Sequence, residues 1–359
     1  MTANQPPRRA EVIGTGLIGG SVAAALRRSG WHVTGFDSDA DTLEQALTMG
    51  VLDAVGIDGE AELAVVAVPV GSVEEAAAGP LERGAVVTDV GSVKAPVVEA
   101  VDHPRFVGGH PMAGSEALGV QGARADLFEG ATWALTPTGK TAPEALALVH
   151  GVVRSLGAEV VTLAPAQHDR LVATVSHVPH LAAATLMGVA DERASEHAAL
   201  LRLAAGGFRD MTRIAAGDPG IWQDICRDNR DAILEVLDGY LESLGDMRRI
   251  VAEGRSEALL ERLGDAQLAR RSLPTGAPKP EELVEVRIPV PDRPGELAAV
   301  TSLATDLGVN VYDIEVAHSA GAGGGLLILV VAEGSATAFA DGLTAGGRHP
   351  SIHPLGDST

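Results

Sequence analysis

The chain has 359 residues, 46% of them apolar and 21% charged, which is enough for two or three domains with buried cores. Its 27 Lys and Arg stand against 48 Asp and Glu, and the net charge of −21 argues against binding to nucleic acid or to an anionic membrane surface. The single cysteine, Cys226, excludes an intrachain disulfide and a cysteine-based zinc site. Neither a secretory signal nor a run of about 20 apolar residues is evident, which predicts a soluble, cytoplasmic protein.

Short apolar runs alternate with helical segments in the first third of the chain. The runs are continuous rather than alternating in polarity, which is typical of strands in a parallel sheet covered on both faces. This order predicts a doubly wound α/β domain of the Rossmann type over residues 8–164. The predicted strands lie at residues 10–13, 31–36, 63–69, 85–90, 131–136 and 158–163, and the predicted helices at 21–28 and 143–156.

The middle third of the chain has a helical pattern. Strand-like runs end after the first domain, and residues 171–189 and 194–203 favour helices. Apolar residues in 221–251 recur at spacings of three, four or seven, with one gap at Asn229, which predicts a long amphipathic helix. Because a helix this long usually packs against a partner, we predict an α-helical substrate and dimerisation domain over residues 165–273, in a homodimer.

The last part of the chain follows a linker. Proline and glycine are frequent in residues 274–281, which is typical of a connection between domains. Beyond it, apolar residues occupy alternate positions of 284–290, and the predicted elements follow in the order β-α-β-β-α-β. This order predicts a ferredoxin-like α+β domain over residues 282–356.

A glycine-rich turn follows the first predicted strand. The string GTGLIGG contains the G-x-G-x-x-G pattern at Gly14, Gly16 and Gly19, and it opens a helix. The first glycine permits a tight turn, the second lets the backbone approach a pyrophosphate, and the third lets helix and strand pack closely. The helix N-terminus, at Leu17 and Ile18, would offer free amide donors to the diphosphate. The turn therefore predicts a dinucleotide site.

Asp37 ends the second predicted strand, 18 residues after Gly19. A carboxylate there can accept hydrogen bonds from both hydroxyls of the adenosine ribose and would repel a 2′-phosphate. We therefore predict NAD as the cofactor, with NADP left open because Arg27 and Arg28 are near in sequence.

A second group of polar residues follows the predicted strands of the first domain. The string GGHPMAGSE at residues 108–116 sets His110 between two glycines and a proline, which predicts a tight loop where a strand end meets the cofactor. The string DVGSVK at residues 89–94 would bring the Ser92 hydroxyl and the Lys94 ammonium to the same edge of the sheet.

Histidines also occur early in the helical domain. The string SHVPH at residues 176–180 carries His177 and His180, separated by a proline. No carboxylate completes a ligand set at the usual spacing, so we expect no metal site. We assign His103 and His168 to the surface.

Two arginines lie further along the helical domain, in the string GFRDMTR at residues 207–213. Arg209 and Arg213 are four residues apart and would share one face if the segment is helical. Ordinary ion pairs with Asp210 or Asp218 are an alternative to a ligand-binding role.

Together these strings resemble the prephenate/arogenate dehydrogenase family of tyrosine biosynthesis. The matching segments are the glycine motif with Asp37, DVGSVK, GGHPMAGSE, SHVPH, and GFRDMTRIAAGDPGIWQDI ending at Ile225. The string DRPGEL at residues 292–297, between a strand and a helix, resembles an ACT domain, an amino-acid-sensing module. The resemblance implies NAD-dependent oxidative decarboxylation of prephenate to 4-hydroxyphenylpyruvate, with tyrosine feedback at the ACT domain. Arogenate, which would give tyrosine directly, is the alternative substrate.

The resemblance also implies roles for individual residues. His110 would draw on the proton of the ring hydroxyl, and Ser92 would hydrogen-bond both His110 and that hydroxyl. Arg213 would bind a carboxylate, since a guanidinium can do so through two parallel hydrogen bonds. The other residues assigned to the substrate site are His177, His180 and Trp222, which would line the side-chain carboxylate pocket, with Lys94 and Glu116.

Two other functions remain open at this point. A β-hydroxyacid dehydrogenase also joins a Rossmann domain to a helical one, but the segment around Asp228 and Asn229 lacks the lysine that such an enzyme would need. An NAD-bound amino-acid sensor would use the same fold without forming NADH.

Overall fold

The computed structural model describes residues 6–114, 119–194, 197, 200–272, 283–291, 296–309, 311–318 and 324–354. The chain divides into two compact units, Met1–Arg249 and Ile250–Thr359. The first unit contains the predicted sheet and most of the predicted helical domain, and the second contains a smaller sheet.

An eight-stranded sheet organises the first unit. Its strands are β1 (Arg9–Ile13), β2 (His32–Phe36), β3 (Ala54–Val55), β4 (Leu63–Val66), β5 (Val86–Asp89), β6 (Phe106–Pro111), β7 (Thr132–Thr136) and β8 (Glu159–Thr162). They lie in the order β3-β2-β1-β4-β5-β6-β7-β8, and β1 to β6 are parallel. The carboxyl ends of these six strands therefore meet at one edge, where ligands of such sheets bind.

The last two strands of this sheet run in the opposite direction. The predicted parallel arrangement holds from β1 to β6 but does not extend to the edge of the sheet, because β7 pairs antiparallel with β6 and β8 pairs parallel with β7. A parallel neighbour needs a crossover, usually through a helix. The described part of the connection from β6 to β7 contains only the short 3₁₀ turn Val120–Gly122, so the chain returns antiparallel.

Helices cover both faces of the sheet. They are α1 (Leu17–Arg28), α2 (Ala40–Thr48), α3 (Val73–Glu82), α4 (Ala95–Val101) and α5 (Pro143–Ser155). One apolar core joins the sheet to α1 and α5, and a second joins it to α3 and α4. Strands β4 and β5 are buried along their whole length, which explains why their sequences are continuously apolar.

The helical part begins directly after β8. It contains α6 (Pro165–Val172), a π-helical turn (Ala173–His177), α7 (Val178–Ala194), α8 (Gly206–Thr212), α9 (Pro219–Asp228) and α10 (Arg230–Ala252). By length and composition alone, Pro165–Ala194 could cross a membrane. Its buried histidines and aspartate instead pair with other parts of the protein, which favours packing inside the fold.

The single long helix predicted over residues 221–251 is two helices. They meet at Asn229, which follows α9 and whose backbone amide donates to the carbonyl of Ile225. The side chain of Asn229 is turned inward and makes two hydrogen bonds there. The gap in the apolar pattern at Asn229 therefore marks a break between helices.

The second unit contains α11 (Ser256–Arg271), β9 (Leu283–Pro291), α12 (Glu296–Asp306), β10 (Val311–His318), β11 (Gly324–Ala332), α13 (Glu333–Ala345) and β12 (Ser351–Pro354). From β9 onward the elements follow the predicted β-α-β-β-α-β order, and the antiparallel sheet has the strand order β10-β11-β9-β12. The apolar face of β9 is buried against β11 and α13. Residues 292–295 of the DRPGEL string lie outside the described residues.

Candidate active site

His110 lies in a strand rather than in the predicted loop. It is the fifth residue of β6, and its side chain is 8% exposed. The two preceding glycines suggested a loop, but they permit close packing within the sheet. A Cβ at Gly109 would lie 2.6 Å from the carbonyl oxygen of Asp89, at the end of β5. The glycines therefore hold His110 close to the end of β5.

His110 belongs to a buried chain of hydrogen-bonded side chains. Its Nδ1 lies 2.8 Å from Nε2 of His168, and Nδ1 of His168 lies 2.8 Å from Oδ1 of Asp169. Both partners are on α6. The surface position predicted for His168 is wrong, since its side chain is 1% exposed. Sequence reasoning missed His168 and Asp169 because their partner lies 58 residues away along the chain.

Both carboxylate oxygens of Asp169 accept hydrogen bonds from backbone amides at the start of α4. Its Oδ1 accepts from the backbone amide of Lys94 and its Oδ2 from that of Ala95, both at 2.8 Å. A carboxylate only accepts hydrogen bonds, so Nδ1 of His168 must donate. A neutral His168 then accepts at Nε2 from Nδ1–H of His110. This order leaves Nε2 of His110 as the nitrogen that can accept a proton.

The surroundings of His110 keep it neutral. Burial lowers its pKa well below the usual 6.5, and His168, Lys94 and His177 lower the pKa further. An imidazole that is neutral at pH 7 has a lone pair ready to accept a proton. The site therefore contains a candidate general base.

Lys94 and Ser92 lie on the segment between β5 and α4. Lys94 is fully buried and forms an ion pair with Asp89, while burial lowers the pKa of Lys94 against the opposing effect of Asp89 and Asp169. Oδ1 of Asp89 also accepts from the amide of Gly109 at 3.0 Å. Lys94 thus has no surface for substrate and instead braces β6. Ser92 is half-buried, and among the described residues its hydroxyl has no hydrogen-bond partner.

The predicted pocket histidines lie together with Trp222. The ring of His180 stacks on Trp222 with centroids 3.5 Å apart, and His177 meets Trp222 edge-on at 6.0 Å. Burial lowers the pKa of His177 to about 4 and also lowers that of His180. Pro179 lies two residues beyond the π-helical turn, and a residue without an amide hydrogen disturbs the regular helical hydrogen bonds of the preceding turn.

Arg213 lies in a short 3₁₀ turn, Arg213–Ala216, and is exposed. The helix α8 ends at Thr212, and Arg213 caps it with helical backbone angles (φ −53°, ψ −43°), so Arg213 lies about one turn beyond Arg209. The same turn ends at Gly217, where a Cβ would lie 3.2 Å from the ring of His180 and 3.2 Å from Nε1 of Trp222. The turn that carries Arg213 therefore packs against the stacked rings. Glu116 lies outside the described residues.

The glycine-rich turn has the shape that a dinucleotide requires. Gly14 has φ +89°, and a Cβ at Gly19 would overlap the carbonyl oxygen of Gly14, so both positions need glycine. Gly16 has no atom within 4 Å of such a Cβ, which leaves its backbone open to a ligand. Gly16 also precedes α1, and Leu17 and Ile18 begin that helix, so their amides point toward the opening.

Asp37 is fixed beside this turn. Its Oδ2 accepts from the amide of Thr15 at 2.6 Å and from the Thr15 hydroxyl at 3.1 Å, and its Oδ1 accepts from the amide of Asp39 at 3.0 Å. A carboxylate has about four lone-pair sites, so one remains for a ribose hydroxyl, rather than the two predicted from the sequence. The residues present therefore fit a dinucleotide without a 2′-phosphate.

Comparisons with known proteins identify relatives that cover most of the chain. Family models for the nucleotide-binding and the dimerization domain of prephenate dehydrogenase match residues 22–162 and 164–265. Prephenate dehydrogenase of Bacillus subtilis (strain 168) is 34% identical over 84% of this chain and 86% of that protein. The crystal structure of A. aeolicus prephenate dehydrogenase with hydroxyphenyl propionate and NAD+ has a TM-score of 0.70 and 32% identity, over 74% of this chain and 98% of that one. Synechocystis arogenate dehydrogenase has a TM-score of 0.63 and 31% identity, over 73% and 98%. The chain belongs to the prephenate dehydrogenase family.

Proposed function

We propose that the chain is an NAD-dependent prephenate dehydrogenase, which converts prephenate to 4-hydroxyphenylpyruvate in tyrosine biosynthesis. The observation that carries this proposal is the chain from Asp169 through His168 to His110, which presents a neutral imidazole. The glycine turn after β1 and the segment after β5 end at the same edge of the sheet as β6. Membership of the family removes the support for a β-hydroxyacid dehydrogenase.

The base acts on the ring hydroxyl. Bound NAD+ supplies the acceptor for the hydride that leaves the hydroxyl-bearing carbon. His110 accepts the hydroxyl proton at Nε2, and the positive charge is shared through His168 with the carboxylate of Asp169. After CO₂ leaves the ring, His110 returns the proton to the phenolate oxygen. General-base assistance of this kind is worth about 10²–10⁴ in rate.

Other side chains orient the substrate in this proposal. Ser92 hydrogen-bonds the reacting hydroxyl, and Arg213 binds a carboxylate of the substrate through its guanidinium. His177, His180 and Trp222 form the pocket for the side-chain carboxylate. Glu116 belongs to the same site. Lys94, which the sequence assigned to the substrate, is buried against Asp89 and acts through its neighbours instead. NAD is bound by the cofactor residues Gly14, Gly16, Leu17, Ile18, Gly19 and Asp37.

Residues 282–356 of the second unit are proposed to be an ACT domain that binds tyrosine as a feedback effector. Support comes from its β-α-β-β-α-β order and from the DRPGEL string. The enzyme is proposed to be a cytoplasmic homodimer with a Rossmann domain at residues 8–164, a helical domain at 165–273, a linker at 274–281 and the ACT domain at 282–356. Arogenate is the second candidate substrate, because a similar structure is that of an arogenate dehydrogenase.

The test is NADH formation by the full chain with prephenate and with arogenate, with and without tyrosine. We expect turnover of prephenate with NAD+, and inhibition by tyrosine. His110→Asn should lower kcat at least ~100-fold and leave the Kd for NAD+ unchanged, whereas Arg213→Gln should mainly raise KM, because a charge-assisted hydrogen bond of about 1.5–3 kcal/mol is lost. His349→Asn changes an exposed histidine and serves as the control. Binding without NADH formation would instead indicate a sensor.

A further inference from the structure

Asn229 is a buried amide without a part in the proposed reaction. It lies between α9 and α10, and the residue is 5% exposed. Its Nδ2 lies 2.8 Å from the backbone carbonyl oxygen of Asp169 and 3.1 Å from Nδ1 of His177. One amide nitrogen thus connects the helix that carries the general-base chain to a pocket histidine.

These two contacts fix the orientation of the amide and the tautomer of the imidazole. A backbone carbonyl only accepts, so the NH₂ group of Asn229, and not its oxygen, must face Asp169. An NH₂ group only donates, so Nδ1 of His177 must accept from it. A neutral His177 then carries its hydrogen on Nε2.

We propose that Asn229 is a positioning residue that holds His177 as the Nε2–H tautomer, so that His177 donates a hydrogen bond to an acceptor oxygen of the substrate side chain. The substrate half of this inference rests on the proposed function. The acceptor is a carboxylate or keto oxygen, because an N–H donor matches those groups.

The charged surroundings of His177 support a neutral donor. The titratable groups that act on it are Asp169, which favours the protonated ring, and His168, which disfavours it. Burial outweighs both and lowers the pKa of His177 to about 4, so the ring stays neutral at pH 7. His110, whose pKa His177 helps to lower, and the ring of Trp222 complete its neighbours.

Asp169 therefore determines which nitrogen carries the hydrogen in two imidazoles, and the result is opposite in the two rings. Through its carboxylate and His168 it leaves His110 with an accepting Nε2, and through its carbonyl and Asn229 it leaves His177 with a donating Nε2. The site therefore contains one ring that can accept a proton and one ring that can donate a hydrogen bond to a substrate oxygen.

The first experiment measures the tautomer directly in the resting full chain. Nitrogen NMR with ¹⁵N-labelled histidine, assigned by the signal lost in His177→Gln, should show His177 unprotonated at Nδ1 and protonated at Nε2 at pH 7. In Asn229→Asp, whose carboxylate can only accept, Nδ1 should become protonated. A wild-type His177 protonated at Nδ1 would overturn the proposal. This measurement needs no substrate, so it decides the matter even if prephenate is not turned over.

The second experiment follows KM for prephenate between pH 6 and 8. In Asn229→Asp a positive His177 still donates at Nε2, but on deprotonation it presents a lone pair to the substrate oxygen. We therefore expect KM to rise about tenfold or more with pH in this variant, with kcat changing much less, and to stay flat in the wild type. Arg230→Gln, at the adjacent position with a side chain 72% exposed, should match the wild type. A flat KM profile in Asn229→Asp would contradict the role in binding.

Discussion

The burial and hydrogen-bond partners of His168 could not be predicted from its neighbours in the sequence. Its neighbours, in the string PAQHDR, are typical of an exposed first helical turn, and the surface position follows from them. In the structure its two nitrogens bond His110 on one side and Asp169 on the other. The first of these contacts joins a strand to a helix, so no spacing rule could have found it.

The lowered pKa of His110 predicts the pH dependence of catalysis. Because the base must be neutral, activity is lost only when pH falls below the pKa of His110, which burial places well under 6.5. We expect the acidic limb of kcat/KM, which reports groups of the free enzyme, to lie clearly below pH 6.5. The measurement is kcat/KM from pH 4.5 to 8, with His349→Asn as the control. An acidic limb at or above pH 6.5 would show that His110 is not held in this way.

Among the secondary-structure elements, the positions of the strands and the element order of the second unit were the most predictable from the sequence. The burial of β4 and β5 on both faces imposes a continuous apolar pattern, and the one buried face of β9 imposes an alternating one. The errors arose where tertiary contacts override local pattern. The glycines before His110 serve strand packing, and the side chain of Asn229 turns inward to His177 between two helices. Strand β7 runs antiparallel to β6, and the described part of the connection between them contains no crossover helix.

The close packing of α1 against the end of β1 predicts that Gly19→Ala will lower both stability and NAD+ affinity. A methyl group at Gly19 would overlap the carbonyl oxygen of Gly14, which is backbone and cannot move aside. We expect Gly19→Ala to cost about 1–3 kcal/mol of folding free energy and to weaken NAD+ binding at least tenfold, since the turn must open.

Gly151→Ala is the matched control for this prediction. Gly151 lies in α5, and a Cβ there would meet nothing within 4 Å. Alanine in a helix is favoured by about 0.5–1 kcal/mol over glycine, so this variant should be slightly more stable with unchanged NAD+ affinity. Thermal unfolding and calorimetric titration measure both quantities. Equal behaviour of the two variants would exclude close packing as the function of Gly19.

At the scale of the whole molecule, the exposed leucines of α10 predict the oligomeric state. Leu234, Leu241 and Leu244 are exposed at spacings of seven and three, which places them along one side of the helix. A monomer would leave this apolar row in water, so we expect a homodimer at micromolar concentration. Sedimentation equilibrium should show a dimer for the wild type and dissociation for Leu241→Glu with Leu244→Glu. Glu242→Gln should leave the assembly intact, and a monomeric wild type would refute the prediction.

The enclosure of Lys94 has a practical consequence for handling the enzyme. The chain has only three lysines, at positions 94, 140 and 279. The Lys94 side chain is fully buried with its partner Asp89, whereas the Lys140 side chain is 69% exposed. Amine-directed dyes, cross-linkers or resins will therefore react at Lys140 while sparing Lys94, so immobilisation through amines leaves the brace beneath His110 chemically untouched.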